Sequence, residues 1–336
     1  MAQDMRALVI GGSGFVGASL VAGLTERGIK VRVFRRRSSS LEALAGLEYE
    51  PVVGDILDGP DALVEAMADC EWVFHTAAVT QYWRRSQEGL YRVNVEGTRN
   101  VLTAALGAGV KRLVFTSSLG AMGLPANGNT LDESCHFNLK PEEFPYGHSK
   151  YLAEKEVYRA TAQGLQAVIV NPSVIIGPRD VNRLGGSIIL AAAKGRMLVT
   201  LPGGTNFVAI EDVVAGHIAA AERGRVAERY ILAGENLSYR LVAVVVCETV
   251  GRRAPFVVLP SWSLPAAAAV VAVARAVLGD RVPIAPSQIR MSGAAIYANG
   301  EKALRELGLP QTPFRSAVEH AYDWYREHGY IRQTKR

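Results

Sequence analysis

The sequence predicts a doubly wound α/β fold, a parallel sheet covered by helices on both faces, carrying a second, smaller and mostly helical lobe. Three observations point to it. Short apolar runs alternate with helix-period stretches through the first two-thirds of the 336 residues. A glycine-rich turn joins the first apolar run to the first helical stretch. Beyond Pro172 the rhythm changes to loops punctuated by Pro and Gly, followed by helices. Strands separated by helices imply right-handed crossovers, and so a parallel sheet buried on both sides.

Taken in order, the apolar runs are Ala7–Ile10, Val31–Phe34, Glu50–Val53, Trp72–Phe74, Leu113–Phe115 and Ala167–Val170. Helical spacing fills the intervals, as in Val16–Arg27, Tyr91–Leu106 and the stretch opening at Tyr146. Residues 1–172 form the expected first lobe and 173–330 the second. Phe207–Ile210 and Tyr230–Leu232 are expected to return to the first lobe as strands, so the segment near 206–234 interleaves the two.

Composition narrows the class. Hydrophobic residues make up 49% and charged residues 21%, a globular balance without low-complexity tracts. The three cysteines, Cys70, Cys135 and Cys247, are odd in number and far apart, which fits a reducing, cytoplasmic setting better than a disulfide framework. The six histidines are scattered without metal-ligand spacing. The net charge of +5 is concentrated only at Arg35–Arg37 and Lys335–Arg336, without interleaved aromatics, and this argues against nucleic-acid binding. No signal peptide is read at the start. The apolar stretch Trp262–Leu278 contains Pro265 and Arg275 and is short for a membrane span, so a buried or surface-packed helix is expected there.

The turn Gly11-Gly12-Ser13-Gly14-Phe15-Val16-Gly17 sits between first strand and first helix, where its spacing carries most meaning. Gly11 would allow a tight turn, Gly14 the approach of backbone N–H groups to a pyrophosphate, and Gly17 close helix–sheet packing. The helix N-terminus at Phe15 and Val16 would then face the anion. An acidic residue ending the second strand would favour NAD; here Arg35, Arg36 and Arg37 stand instead and can clamp a 2′-phosphate, so NADP(H) is expected. Asp55, with Ile56, is placed to accept from an adenine amino group. The small Thr76-Ala77-Ala78 suits close passage of the cofactor.

Tyr146 and Lys150 lie one helical turn apart and share a face, where an ammonium would lower the phenol pKa and fit it for proton exchange. The pattern recurs five residues later in Tyr151 and Lys155, pointing elsewhere around the helix. Thr116-Ser117-Ser118 ends the fifth strand, where open α/β sheets place their ligands, and this selects Tyr146 and Lys150.

With these residues in hand, the chain resembles the extended short-chain dehydrogenase/reductases, which share the Rossmann sheet. The shared motifs are Gly11-x-x-Gly14-x-x-Gly17, Gly54-Asp55, His75-Thr76-Ala77-Ala78, Asn94-Val95-Glu96-Gly97-Thr98, Thr116-Ser117-Ser118, Tyr146-x-x-Ser149-Lys150 with Ala153-Glu154, and Asn171-Pro172-Ser173 with Gly177-Pro178. Within them it is most similar to the dihydroflavonol-reductase-like group, especially the hopanoid-associated sugar epimerases. Gly177-Pro178-Arg179-Asp180, Tyr230-Ile231-Leu232 with Gly234-Glu235-Asn236, and Asp323-Trp324-Tyr325 extend that likeness. The resemblance implies a catalytic triad of Ser118, Tyr146 and Lys150, Ser117 being the less favoured serine. It also implies Arg36 on the 2′-phosphate and Thr116, Pro172 and Ser173 beside the cofactor.

Hydride transfer between NADP(H) and a small-molecule ketone, aldehyde or alcohol is the activity expected from this reading. Sugar epimerisation with a recycled nicotinamide is the alternative, and a non-catalytic dinucleotide sensor a third. Thr80, Tyr82, Trp83, Ser118 and Arg179 are the candidate substrate contacts, and Val79–Trp83, the loop Ser118–Phe144 and residues beyond Ser173 the candidate walls. A homodimer through Tyr91–Leu106 and Tyr146–Ala162 is a further expectation.

Overall fold

The computed structural model describes residues 5–80, 86–125, 130–279, 282 and 284–331. Seven strands form the main sheet: β1 (Arg6–Ile10), β2 (Lys30–Arg35), β3 (Glu50–Val53), β4 (Trp72–His75), β5 (Arg112–Thr116), β6 (Ala167–Pro172) and β9 (Arg229–Leu232). They lie in the order β3-β2-β1-β4-β5-β6-β9, with every neighbouring pair parallel. The reversal of winding falls between β1 and β4, where such sheets open a crevice at the carboxyl ends of their strands.

Side-chain alternation along the strands explains why both faces are covered. Ala7 and Val9 of β1 and Val114 of β5 enter one apolar core, which α1 (Phe15–Thr25) and α7 (Ile210–Arg223) close. Leu8 and Ile10 of β1, with Leu113 and Phe115 of β5, enter the opposite core. That second core is closed by α2 (Asp61–Met67), α4 (Gly97–Gly107) and α5 (Pro145–Ala162). The expected helix Tyr91–Leu106 is a composite: α3 (Gln87–Tyr91), a π-helical turn at Arg92–Glu96, then α4.

The second lobe is the smaller, mostly helical body expected, with a small sheet at its centre. It holds a four-stranded sheet of β7 (Val174–Ile176), β8 (Gly204–Ala209), β10 (Glu235–Ser238) and β11 (Ala295–Ile296). The helices α6 (Ser187–Ala193), α8 (Tyr239–Thr249) and α12 (Phe314–Glu327) pack against it. Tyr230–Leu232 does return to the main sheet as part of β9, but Phe207–Ile210 does not. β9 already occupies the edge beside β6, and the Asn206 amide donates to Gly234 O at 3.1 Å and Asn236 Oδ1 at 2.8 Å, tying β8 to β10. Val208 of β8 and the helix that follows it, α7, still reach the core of the first lobe.

Three helices complete the chain: α9 (Leu264–Leu278), α10 (Pro286–Met291) and α11 (Glu301–Leu307). The 18-residue helical stretch Ser261–Leu278 is long and apolar enough to cross a membrane, with mean hydropathy 1.6, yet only 11% of it is buried. It is therefore packed on the surface through a narrow stripe, the second of the two forms expected for it.

Candidate active site

The glycine turn takes the shape its sequence suggests, with one correction. Gly11 has φ +83° and donates its N–H to Phe34 O at 3.0 Å; a Cβ there would meet Ala77 Cα at 2.7 Å. Gly14 caps α1, whose first turn has neither a side-chain cap nor an acidic residue, leaving helix-end donors aimed at the crevice. Gly17 serves a different contact from the one expected. A Cβ on it would lie 2.3 Å from Gly11 O, so its smallness lets the helix close on the loop itself rather than on the sheet.

A cleft of about 330 Å³ runs along this turn, lined by Gly11, Gly14, Arg35, Arg36, Asp55, Ile56, Thr76, Ala77 and Ala78 from the expected set. Ser13, Ser38, Ser39, Ser40, Val79, Val93, Val181 and Asn182 also line it, and sequence reasoning had not singled them out for it. Arg37 is exposed and not among the lining residues, and Phe15 is buried in the core beneath. Val16 is partly buried against that same core. Arg35 Nε is buried without a hydrogen-bond partner among the described residues, as is Ser173 Oγ. A turn with no room for a Cβ at Gly11, Gly12 or Gly17, an uncapped helix end and a guanidinium with an unmet donor fit a dinucleotide diphosphate.

At the carboxyl end of β5, Ser118 hydrogen-bonds the Tyr146 hydroxyl and accepts from Gly120 N at 3.1 Å. Close contact of α5 with the 3-10 turn Leu119–Met122 makes this possible, since a Cβ on Gly147 would lie 2.4 Å from Gly120 O. Lys150 is buried one turn further on; it donates to Thr116 O at 2.7 Å and sits 4.2 Å over the Phe115 ring.

The second tyrosine–lysine pair is used otherwise. Tyr151 stacks on Phe137 at 5.8 Å, and Lys155 lies 4.4 Å over the Tyr151 ring. Ser117 is likewise committed elsewhere, donating its hydroxyl to Glu154.

Glu154 is the centre of a buried network that the sequence reading noted only as part of a motif. It accepts from Asn171 Nδ2 at 2.6 Å and pairs with Arg229 at 3.3 Å, while Asn171 also donates to Ser118 O at 3.0 Å. Four elements, the end of β5, α5, β6 and β9, are thereby pinned beneath Ser118. Asn94, in the π turn, brackets the other side: it bonds Val79 N and O at 2.8 and 3.1 Å and Ser149 Oγ at 2.9 Å. His217 of α7 bonds Thr116 Oγ1 at 2.8 Å and Val213 O at 2.7 Å. A buried polar side chain inside an otherwise apolar helical face was the available signal for all three.

Electrostatics corrects one expectation. Burial pushes the Tyr146 phenol up to about 12, with the Ser118 hydrogen bond opposing it. Burial also brings Lys150 down to about 7, against the pull of Glu154. Desolvation outweighs the ammonium–phenol attraction because both groups have left water.

Behind Val79, which lines the cleft, Leu90, Phe144 and Ala285 gather with it and Tyr146 in one apolar cluster, Phe144 meeting the tyrosine edge-on at 6.0 Å. Thr80 is partly buried beside Val79; Tyr82 and Trp83 lie outside the described residues. Arg179 is not among the residues of this cluster or cleft. Its guanidinium donates to Ala43 O at 2.9 Å, and it lines a separate groove with Arg27 and His320. Among the described residues no His, Cys, Asp or Glu cluster is fit to hold a metal.

The NAD dependent epimerase/dehydratase family model matches residues 7–233. The chain belongs to this family. As a member it is an oxidoreductase-type enzyme of a family that binds nicotinamide dinucleotides. Over 329 residues it is 39% identical to a Synechocystis protein provisionally named dihydroflavonol 4-reductase, covering 96% of this chain and 95% of that one. It is 35% identical over 332 residues to sterol demethylase protein B of Methylococcus capsulatus, covering 97% and 100%. The crystal structure of gox2253 superposes with a TM-score of 0.85 at 37% identity, covering 98% and 100%. These whole-chain likenesses extend the family's kinship through the second lobe.

Proposed function

We propose that the chain is an NADP(H)-dependent reductase of an apolar ketone or aldehyde, working also in the alcohol-oxidising direction. One observation carries the reading: Ser118 and Tyr146 are hydrogen-bonded, with buried Lys150 one turn below, and Tyr146 packs on Val79, which lines the cleft. Arg35 and Arg36 would hold the 2′-phosphate and Asp55 the adenine; the glycine turn would hold the diphosphate.

A bound nicotinamide would supply or accept the hydride. Tyr146 donates its proton to the carbonyl oxygen, Ser118 orients that oxygen, and Lys150 holds the ribose while offering a proton of tunable acidity. Lys150 is suited to the last task because its burial brings it to about 7, near the working pH.

For the substrate, the side chains packed with Tyr146, namely Val79, Leu90, Phe144 and Ala285, are all apolar, which favours a hydrocarbon ring system over a sugar diphosphate. Likeness to a sterol demethylase protein over its whole length supports the same class. The test is a panel of cyclic ketones, sterol ketones and nucleotide sugars with NADPH and NADH, followed by absorbance of the reduced nicotinamide. Stoichiometric NADPH consumption with a ring ketone is expected. Epimerisation of a nucleotide sugar without net cofactor oxidation would overturn the reading.

A further inference from the structure

The helix α9 wears its apolar side outward. Leu264, Ala268 and Val271 face the protein, packed with Leu201, Ile284 and Ile289. The one charged residue of the helix, Arg275, falls on the same side and donates to Val282 O at 3.0 Å. The opposite stripe carries Val270, Val273 and Val277, which are 69%, 65% and 77% exposed. Their spacing puts them on one face.

Neighbouring segments continue this surface. Thr200 N donates to Val257 O and Leu259 N to Thr200 O, both at 2.9 Å, so the loop around Leu198 lies along the strand-like run through Phe256. Leu198, Phe256 and Trp262 are 76%, 92% and 82% exposed. A monomeric soluble protein seldom shows so many large apolar side chains together without using them.

Charge selects the occupant. Lys194, Arg196, Arg252 and Arg253 are exposed in these segments, and none pairs with an acid among the described residues. No Asp or Glu occurs between Asp180 and Glu211, nor between Glu248 and Asp280. Two copies of this face set against each other would bring like charges together. An anionic lipid surface would instead attract them while receiving the valines, phenylalanine and tryptophan.

We infer that this face docks on an anionic phospholipid bilayer, with α9 lying in the headgroup region. One side of α9 is packed on Leu201, Ile284 and Ile289 and its arginine is turned toward protein, so it rests in the interface rather than crossing. Behind the docked surface lies the reaction site: α10 packs on the inner side of α9, and Ala285 at its start joins the cluster around Tyr146. Resting on the function proposed above, docking would let an apolar ketone enter from the bilayer beneath α9 and α10.

The experiment is co-sedimentation of the full chain with vesicles of phosphatidylcholine alone or mixed with phosphatidylglycerol. Binding to the mixed vesicles is expected, weakened by salt, with a blue shift in tryptophan emission that Trp262→Phe removes. The variant Val270→Glu/Val273→Glu/Val277→Glu should lose roughly tenfold or more of this binding while keeping its melting temperature and NADP(H) affinity. Arg252→Ser/Arg253→Ser should lose binding to the mixed vesicles only. A chain that stays in solution with both vesicles, or a triple variant that binds like the parent, would overturn the inference. So would a concentration-dependent dimer that the triple variant splits. None of these readouts uses turnover, so failure here leaves the reductase proposal standing, and an inactive enzyme that binds vesicles leaves this one standing.

Discussion

Tyr146 and Tyr151 stand five residues apart on one helix, and the chain so supplies its own control. Tyr146→Phe removes the hydroxyl bonded to Ser118 and should lower kcat by about 100- to 10,000-fold with little change in cofactor affinity. Tyr151→Phe keeps the ring stacked on Phe137 and should leave kcat within about twofold. Steady-state kinetics on the ketone found by the panel decides between them; a dead Tyr151→Phe beside an active Tyr146→Phe would refute the assignment. At the cleft's other end, Arg36→Ala should weaken NADPH roughly ten- to a hundredfold and leave NADH unchanged, as read by fluorescence titration. Equal losses for both cofactors would remove the arginine from the 2′-phosphate.

At the scale of elements, the site depends on how β5, β6, β9 and α5 are pinned together, and Glu154 does much of that pinning. Replacing it with Leu leaves Arg229 buried without its carboxylate, a loss of about 3–5 kcal/mol. Ser117 and Asn171 lose their acceptor as well, so Ser118 should loosen and kcat fall. Pairing Glu154→Leu with Arg229→Met should recover most of the stability, because an apolar pair has no stranded charge. Denaturant midpoints of the two single variants and the double variant test this; a double variant as unstable as Glu154→Leu would show that hydrogen bonding, not the ion pair, is what counts.

For the whole molecule, buried histidines set the response to acid. Burial lowers His75 to about 3, with Lys150 adding to the effect, and His217 to about 4. Unfolding returns both to about 6.5, so between the folded and unfolded values the unfolded chain binds more protons. Their contribution to stability is therefore complete above about 6.5 and is lost as pH falls toward 4, at up to about 1.4 kcal/mol per pH unit for each histidine. His217→Gln should flatten this acid limb by one histidine's share, measured as denaturant midpoints between pH 4.5 and 7. An unchanged slope would mean that His217 is protonated in the folded state. Cofactor acts on the same equilibrium: NADPH at about a hundred times its Kd should add about 2.7 kcal/mol, and NADH at equal concentration less.

The sequence by itself determined the sheet and its crevice. Period-two alternation in runs such as Arg6–Ile10 and Arg112–Thr116 sends successive side chains into opposite cores, and that pattern is local. The glycine turn was legible for the same reason: Gly11's positive φ follows from the residue type and its place between strand and helix. Other features follow from which segments meet across the fold. Nothing local distinguishes β8 from β9, and only the competition for the edge beside β6 sends one to the small sheet. Ser117 bound to Glu154 and the phenol of Tyr146 raised rather than lowered both depend on partners far along the chain. The outward valines of α9 belong here too. Their spacing is written in the sequence, but which stripe faces water is set by Leu201, Ile284 and Ile289, which claim the other side. A side chain's chemistry is fixed by its type, whereas its charge state and exposure are fixed by what the fold packs against it.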